Sequence, residues 1–266
     1  MQLTCIGLVV SGLVLWAASP ATRAADAPPD PSLILHYTFD QDLGDRAKDL
    51  NPHGNDGKIV NAKVLEELDG RQGVLSLGDK ESFLDCGNSD SLKFSGDMSL
   101  EMRVRLHQSR KNGNTILFGD TSRNRFFLTV GKAAWQLPEV FTEAETDTLL
   151  LWYRNGHETM ILPLNRNVLS EQWSHFAVVV EYPRCRFYHN GELIRDAYMP
   201  IPTALETQSS SKRIGGGRSQ TLPMDLDEFR MYRRALTTEE VVAHARGEEV
   251  PPDRAEELAV EPHWYD

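Results

Sequence analysis

The sequence predicts an all-β protein: a two-sheet antiparallel β-sandwich of jelly-roll form with a short C-terminal helix. Three observations carry that expectation. From Met98 to His107 apolar and polar residues alternate without a break. Met98, Leu100, Met102, Val104 and Leu106 point one way, and Ser99, Glu101, Arg103, Arg105 and His107 the other. A period of two means a strand with one buried and one wetted face, as in antiparallel sheets. Short runs of the same kind recur between turn residues, with few helix signals, which fits a sandwich or jelly roll. Asn190-Gly191 lies between two such runs, and both residues accept the positive φ of a type I′ hairpin turn.

The first strand begins at Leu33, with Leu33, Leu35, Tyr37 and Phe39 on one face. Further strands are expected at Val74–Leu77, Ser82–Cys86, Thr115–Phe118, Arg125–Val130, Leu149–Arg154 and Thr159–Leu162. Ser174–Tyr182, Arg184–His189, Glu192–Arg195, Lys212–Gly215 and Asp225–Tyr232 complete the set. The helix is announced by Thr237, followed three residues on by Glu240, the spacing of a capping box. Val241, Val242 and Ala245 give it a small apolar face, and Gly247 stops it.

The two ends of the chain read differently from its middle. Leu8 to Ala18 (LVVSGLVLWAA) is an apolar run followed by small residues, and Thr22-Arg23-Ala24 offers a cleavage site. The run falls short of the roughly 20 apolar residues of a membrane span, so residues 1–24 read as a signal peptide. No Lys or Arg precedes the run, and an uncleaved anchor is the alternative. Residues 25–32 (ADAPPDPS) read as a linker, 33–247 as one domain, and 248–266 as an acidic tail. A domain of roughly 200 residues buries on the order of 70% of its unfolded-chain surface and needs no metal or disulfide merely to fold.

The formal net charge is −11. Nucleic-acid phosphates are held mainly by Lys and Arg, so no nucleic-acid partner is expected, nor membrane insertion after signal cleavage. Cys86 and Cys185 remain once Cys5 leaves with the signal peptide. In an exported protein they could pair, or be two small buried residues on separate strands.

Several segments together carry a resemblance. Leu35-His36-Tyr37-Thr38-Phe39-Asp40 leads to Asn55-Asp56-Gly57, and Leu84-Asp85-Cys86-Gly87-Asn88-Ser89 precedes the run from Ser91 to Glu101. Then come Trp173-Ser174-His175-Phe176-Ala177, the run from Phe187 to Leu193, Ile214-Gly215-Gly216, and the run from Leu226 to Leu236. In order and spacing, from about Leu33 to Gly247, the chain resembles LamG-like jelly-roll domains of the concanavalin A-like lectin/glucanase superfamily. The resemblance implies an extracellular module for carbohydrate binding or adhesion.

It also implies where to look for sites. Glucanases of the superfamily set two carboxylates on one strand, and a retaining pair stands about 5 Å apart. That motif is absent; Glu143, Glu145 and Asp147 come nearest, in the wrong order. No catalytic residue is assigned. Related sandwiches often join the first strand to the last through a structural calcium ion, which favours carboxylate and carbonyl oxygens. The matching residues are Asp40 and Asp227, with Asn55 and Asp56 as further ligands. The eight histidines are scattered and read mostly as surface or strand-edge residues.

A pyranose stacks on an exposed aromatic ring while its hydroxyls bond nearby polar groups. Trp135, Phe141, Trp152 and Tyr153 lie between the recognisable segments and are the candidates for sugar contact. Trp152 and Tyr153 are neighbours on a strand, so they face opposite ways. The expectation is an exported protein (periplasmic, cell-surface or extracellular) that binds a glycan or an extracellular protein. The alternatives are a hydrolase or lyase with unrecognised catalytic residues, and a purely structural or assembly module.

Overall fold

The structure is a computed structural model; it describes residues 30–41, 44–78, 81–107, 115–120, 126–132, 147–155, 158–164, 167–200, 210–216 and 223–250. Residues 1–24, read above as a signal peptide, residues 25–29, Trp135, Phe141, Glu143, Glu145 and the residues beyond 250 lie outside them. Among the described residues sixteen strands and one α-helix run in the order β1 (Leu33–Tyr37), β2 (Arg46–Ala47), β3 (Gly57–Val60), β4 (Lys63–Leu68), β5 (Arg71–Leu77), β6 (Phe83–Gly87), β7 (Met98–Leu106), β8 (Thr115–Asp120), β9 (Phe126–Lys132), β10 (Asp147–Asn155), β11 (Glu158–Pro163), β12 (Trp173–Glu181), β13 (Arg184–His189), β14 (Glu192–Tyr198), β15 (Lys212–Gly215), β16 (Met224–Tyr232) and α1 (Thr238–Ala245).

The strands form two antiparallel sheets of eight. Sheet I has the order β14-β13-β12-β7-β16-β5-β4, with β1 also on β16; sheet II has the order β11-β10-β9-β8-β15-β6-β3-β2. β16 is the hinge of sheet I. Its whole length pairs with β7 on one side, while β1 and β5 share the other side end to end. Where they meet, Gly73 takes φ +58, and a Cβ there would stand 2.5 Å from the Asp40 nitrogen and the Phe39 carbonyl carbon. Only glycine fits that junction.

Between the sheets lies one continuous apolar layer. Met98, Leu100, Met102, Val104 and Leu106 of β7 fill it, as the alternation predicts, with Phe176, Val178 and Val180 of β12 beside them. From sheet II come Phe126, Leu128 and Val130 of β9 and Leu149, Leu151 and Tyr153 of β10. Phe118 of β8 meets Phe229 of β16 across the layer, ring centroids 5.1 Å apart. Each such side chain contributes about 1.5–3 kcal/mol on burial. Cys86 and Cys185 are buried and free, one in each sheet. Burial pushes the Cys86 thiol up to about 12 and that of Cys185 higher still.

Three strands lie where the sequence marks none: β2, β3 and β4. β4 is a sheet edge without one buried residue, so no apolar alternation announces it. β3 starts at Gly57, inside the Asn55-Asp56-Gly57 turn signal. The Asn190-Gly191 hairpin forms as expected, with φ of +52 and +81.

Helix α1 covers part of sheet I's outer face. The Thr237 side chain accepts from the Glu240 amide while Glu240 reaches back to the Thr237 amide, so the capping box is complete. Gly247, at φ +78, ends the helix with its amide on the His244 carbonyl. Glu240 also binds Arg234, which holds Asp30, so residues 30–32 of the expected linker are tied to the helix start. Val241 and Leu236 pack on Ala177, Val179, Tyr188 and Tyr232.

Beneath the helix sits a buried carboxylate, Glu101, 2% exposed. His244 Nδ1 of the helix lies 2.7 Å from Oε2, and His175 Nε2 of β12 lies 3.5 Å from Oε1. His175 and His244 are therefore buried, unlike the surface positions expected for histidines. Burial works to raise the Glu101 pKa, but bonding to the two histidines outweighs it and brings it to about 2. Burial works to lower that of His244, yet bonding to Glu101 leaves it raised.

The linkage signs follow. The His244 contribution is full below its ordinary value of 6.5 and is lost as pH rises through the raised folded value. The Glu101 contribution is full above 4.5 and is lost as pH falls toward about 2. The melting temperature of the folded chain is therefore expected to peak between pH 4.5 and 6.5 with respect to this pair. His244→Ala should cost about 3 kcal/mol at pH 6, because it leaves a buried charge without its main partner. Denaturant unfolding across pH, comparing wild type with H244A, checks both; parallel pH profiles for the two proteins would contradict the assignment.

Candidate ligand-binding face

The two outer faces of the sandwich differ in chemistry. On sheet I, beside α1, charged side chains neutralise one another. Arg105 binds Asp225 through Nε and Nη2 at 3.0 and 2.7 Å and also meets Asp69. His107 Nε2 lies 2.7 Å from the same Asp225 oxygen. Burial works to raise the Asp225 carboxyl, but bonds from Arg105 and His107 hold it below its usual value. Arg230 spans Glu228 and Glu249, with His36 Nε2 3.2 Å from Glu228. Arg103 donates to the carbonyls of His244 and Ala245 at the helix end. Trp173 opens outward here rather than into the core, but the guanidinium groups of Arg71 and Arg105 stand over its ring at 5.0 and 5.5 Å. Beside α1 this face is closed by its own ion pairs, while at its edge Tyr198 of β14 is 71% exposed beneath the Arg184 guanidinium, 5.8 Å from the ring centroid.

Sheet II presents a different surface over β9, β10 and β11. Core packing of Leu149, Leu151 and Tyr153 sends Leu150, Trp152 and Arg154 to the outside. Trp152 stands opposite Phe127 of β9 on one side and Ile161 of β11 on the other. All three are half-buried. The row before them is buried at Leu150 and Thr129; the row beyond is exposed at Arg154 and Thr159, which face each other. Exposure thus rises along the strands, from a covered end to an open one, across an apolar row that contains an indole and a phenyl ring. Adjacent strands lie about 4.8 Å apart, so the row spans roughly 10 Å.

Of the four aromatic residues expected to meet sugar, Trp152 alone is described and outward. Tyr153 is 4% exposed and part of the core, as neighbours on one strand require, which removes it from any ligand face. Trp135 and Phe141 lie outside the described residues. Phe127 and Ile161, which complete the row, were not singled out in the sequence. Phe127 follows a core phenylalanine, and its place beside Trp152 depends on the β9–β10 register.

The four candidate calcium ligands separate. Asp40 is exposed just past β1. Asp227 is ion-paired with Arg71 near the same end, two residues before Phe229, the partner of Tyr37. Its pKa is raised, because burial outweighs the effect of Arg71. Asn55 binds the Ile34 carbonyl at the other end of β1 through Nδ2, while its Oδ1 accepts from Ser89 and Ser91. Ile34 and Tyr37 are about 10 Å apart along the strand. Asp56 accepts from Lys48 and the Asp49 amide. Among the described residues no three His, Cys, Asp or Glu side chains gather as a metal set. A cage needs several oxygens on one ion, and these residues, placed as they are, do not fit one.

The laminin G-like family model, described as the concanavalin A-like lectin/glucanases superfamily, matches residues 78–242. The chain belongs to this superfamily. No curated protein matches the chain. Among solved structures it is similar to the binding domain of Paraclostridial Mosquitocidal Protein 1, at 15% identity and a TM-score of 0.63, over 81% of this chain and 52% of that one. It is also similar to Domain 4 of AbnA, a GH43 extracellular arabinanase from Geobacillus stearothermophilus, in complex with arabinotriose. There the identity is 20% and the TM-score 0.59, over 80% of this chain and 98% of that one. The botulinum neurotoxin serotype D ligand binding domain in complex with N-acetylneuraminic acid matches at 11% identity and a TM-score of 0.59, over 81% and 51%. At these identities the likeness is one of fold, shared by jelly-roll binding domains. The chain spans about half the length of the mosquitocidal and neurotoxin structures. Among the described residues no helix of this superfamily member is long and apolar enough to cross a membrane.

Calcium at millimolar concentration is expected to leave the melting temperature unchanged, and so is a chelator. A calorimetric shift of several degrees with calcium would mean that Asp40, Asp227 and their neighbours assemble around the ion after all.

Proposed function

We propose that this chain is a secreted, non-catalytic module that binds carbohydrate on the outward face of β9–β11. The carrying observation is the cross-strand row Phe127–Trp152–Ile161, half-exposed beside the polar pair Arg154 and Thr159. A sugar ring offers an apolar face to an aromatic ring and a belt of hydroxyls to polar neighbours; this row supplies both. The named neighbours support the reading, since two of them were solved with arabinotriose and N-acetylneuraminic acid. Export is proposed from residues 1–24, which carry the signal-like apolar run. Fold kinship alone would not choose among binding, catalysis and assembly; the outward row favours binding.

A glycan array with the full chain identifies the sugar, and calorimetry with the best hit measures it. Trp152→Ala is expected to weaken binding at least about tenfold, with the melting temperature within a few degrees of wild type because Trp152 lies outside the core. Unchanged affinity in W152A would remove this face from the reading, and an array without signal would remove carbohydrate.

A further inference from the structure

Arg154 sets the charge of this face. At the outward positions of β9, β10 and β11 it is the one ionisable side chain among the described residues; the others are apolar, glycine, proline or threonine. The chain as a whole carries −11, so a face with a cation and no described acid runs against the rest of the molecule. Its arginine also differs from those of sheet I. Arg71, Arg105 and Arg230 each rest on a carboxylate, whereas Arg154 is exposed and makes no ion pair among the described residues.

The spacing gives that free cation a use. Arg154 and Trp152 are two residues apart on one strand face, about 7 Å between Cα atoms. A pyranose lying on the Trp152 ring directs its equatorial substituents outward along the ring edge. Those on the Arg154 side come within reach of a long, flexible side chain. A guanidinium is a planar fork of donors that matches a carboxylate or sulfate with two parallel hydrogen bonds. Thr159, opposite Arg154, adds a hydroxyl on the same side.

We infer that the β9–β11 face selects acidic glycans, sugars bearing a carboxylate or a sulfate, with the pyranose on Trp152 and the anion on Arg154. This rests on the carbohydrate reading above and adds the ligand's chemical class. No bond is made or broken.

The test is calorimetric titration of the full chain with three oligosaccharides of matched length: a galacturonate oligomer, a sulfated galactan oligomer and a neutral galactan oligomer. At least one acidic oligomer is expected to bind about five- to tenfold more tightly than the neutral one, the range set by a partly exposed charge-assisted pair. That preference should shrink as salt is raised. Arg154→Gln should bring acidic and neutral affinities together by lowering the acidic affinity more than the neutral one, Arg154→Lys should restore part of the gap, and Trp152→Ala should weaken all three. The carboxylate and sulfate arms tell the two anions apart. Equal wild-type affinities, or a preference that survives in R154Q, would overturn the acidic-glycan inference and leave carbohydrate binding standing. Absence of binding to all three, together with a silent glycan array, would overturn both.

Discussion

The apolar layer between the sheets constrains everything outside it. A strand turns alternate side chains to opposite faces, so a strand that commits every second residue to the layer has no freedom with the rest. Sinking Leu100, Met102 and Val104 of β7 forces Glu101, Arg103 and Arg105 outward together. Sinking Leu149, Leu151 and Tyr153 of β10 does the same for Leu150, Trp152 and Arg154. A one-residue slip in either strand would exchange core and surface wholesale. The layer holds both registers, because each slip would carry polar side chains into it at a cost of a few kcal/mol apiece.

The outer faces resolve their constraint in opposite ways. On sheet I the forced-out Glu101 ends up buried, because α1 closes over it and brings His244 to its carboxylate. Replacing such a buried pair with apolar groups is often neutral, whereas losing one partner is costly; the pair acts as a latch that fixes where the helix sits. The surrounding ion pairs are partly exposed and each contributes little, but together they close the centre of the face; the one exposed ring described there, Tyr198 on the edge strand β14, lies under the Arg184 guanidinium. On sheet II no described charge pairs with Arg154, and Phe127, Trp152 and Ile161 remain half in water. A half-exposed aromatic row carries a hydration cost in the free protein that a sugar ring can relieve. That asymmetry points the proposed binding to one side of the sandwich.

Much of this was legible in the sequence, and the reasons are specific. Strict alternation from Met98 to His107 gave β7 and its inward set, and Asn190-Gly191 gave the hairpin because few dipeptides tolerate two positive φ values. Thr237 and Glu240 gave the helix start because capping is local. The edge strand β4 stayed hidden because none of its residues is fully buried and its half-buried ones do not alternate. The calcium set drawn by resemblance named residues near both ends of β1, and sequence order does not show which oxygens can meet.

By itself the sequence determined the sandwich, its turns, its terminal helix and the rule that Trp152 and Tyr153 face apart, since each rests on interactions between near neighbours in the chain. Only the tertiary structure decided which of that pair faces out. It also placed Phe127 and Ile161 beside Trp152 and set His244 on Glu101. Those outcomes depend on strand register and on packing between residues separated by as many as 143 positions, and no local pattern encodes the partner of a distant side chain.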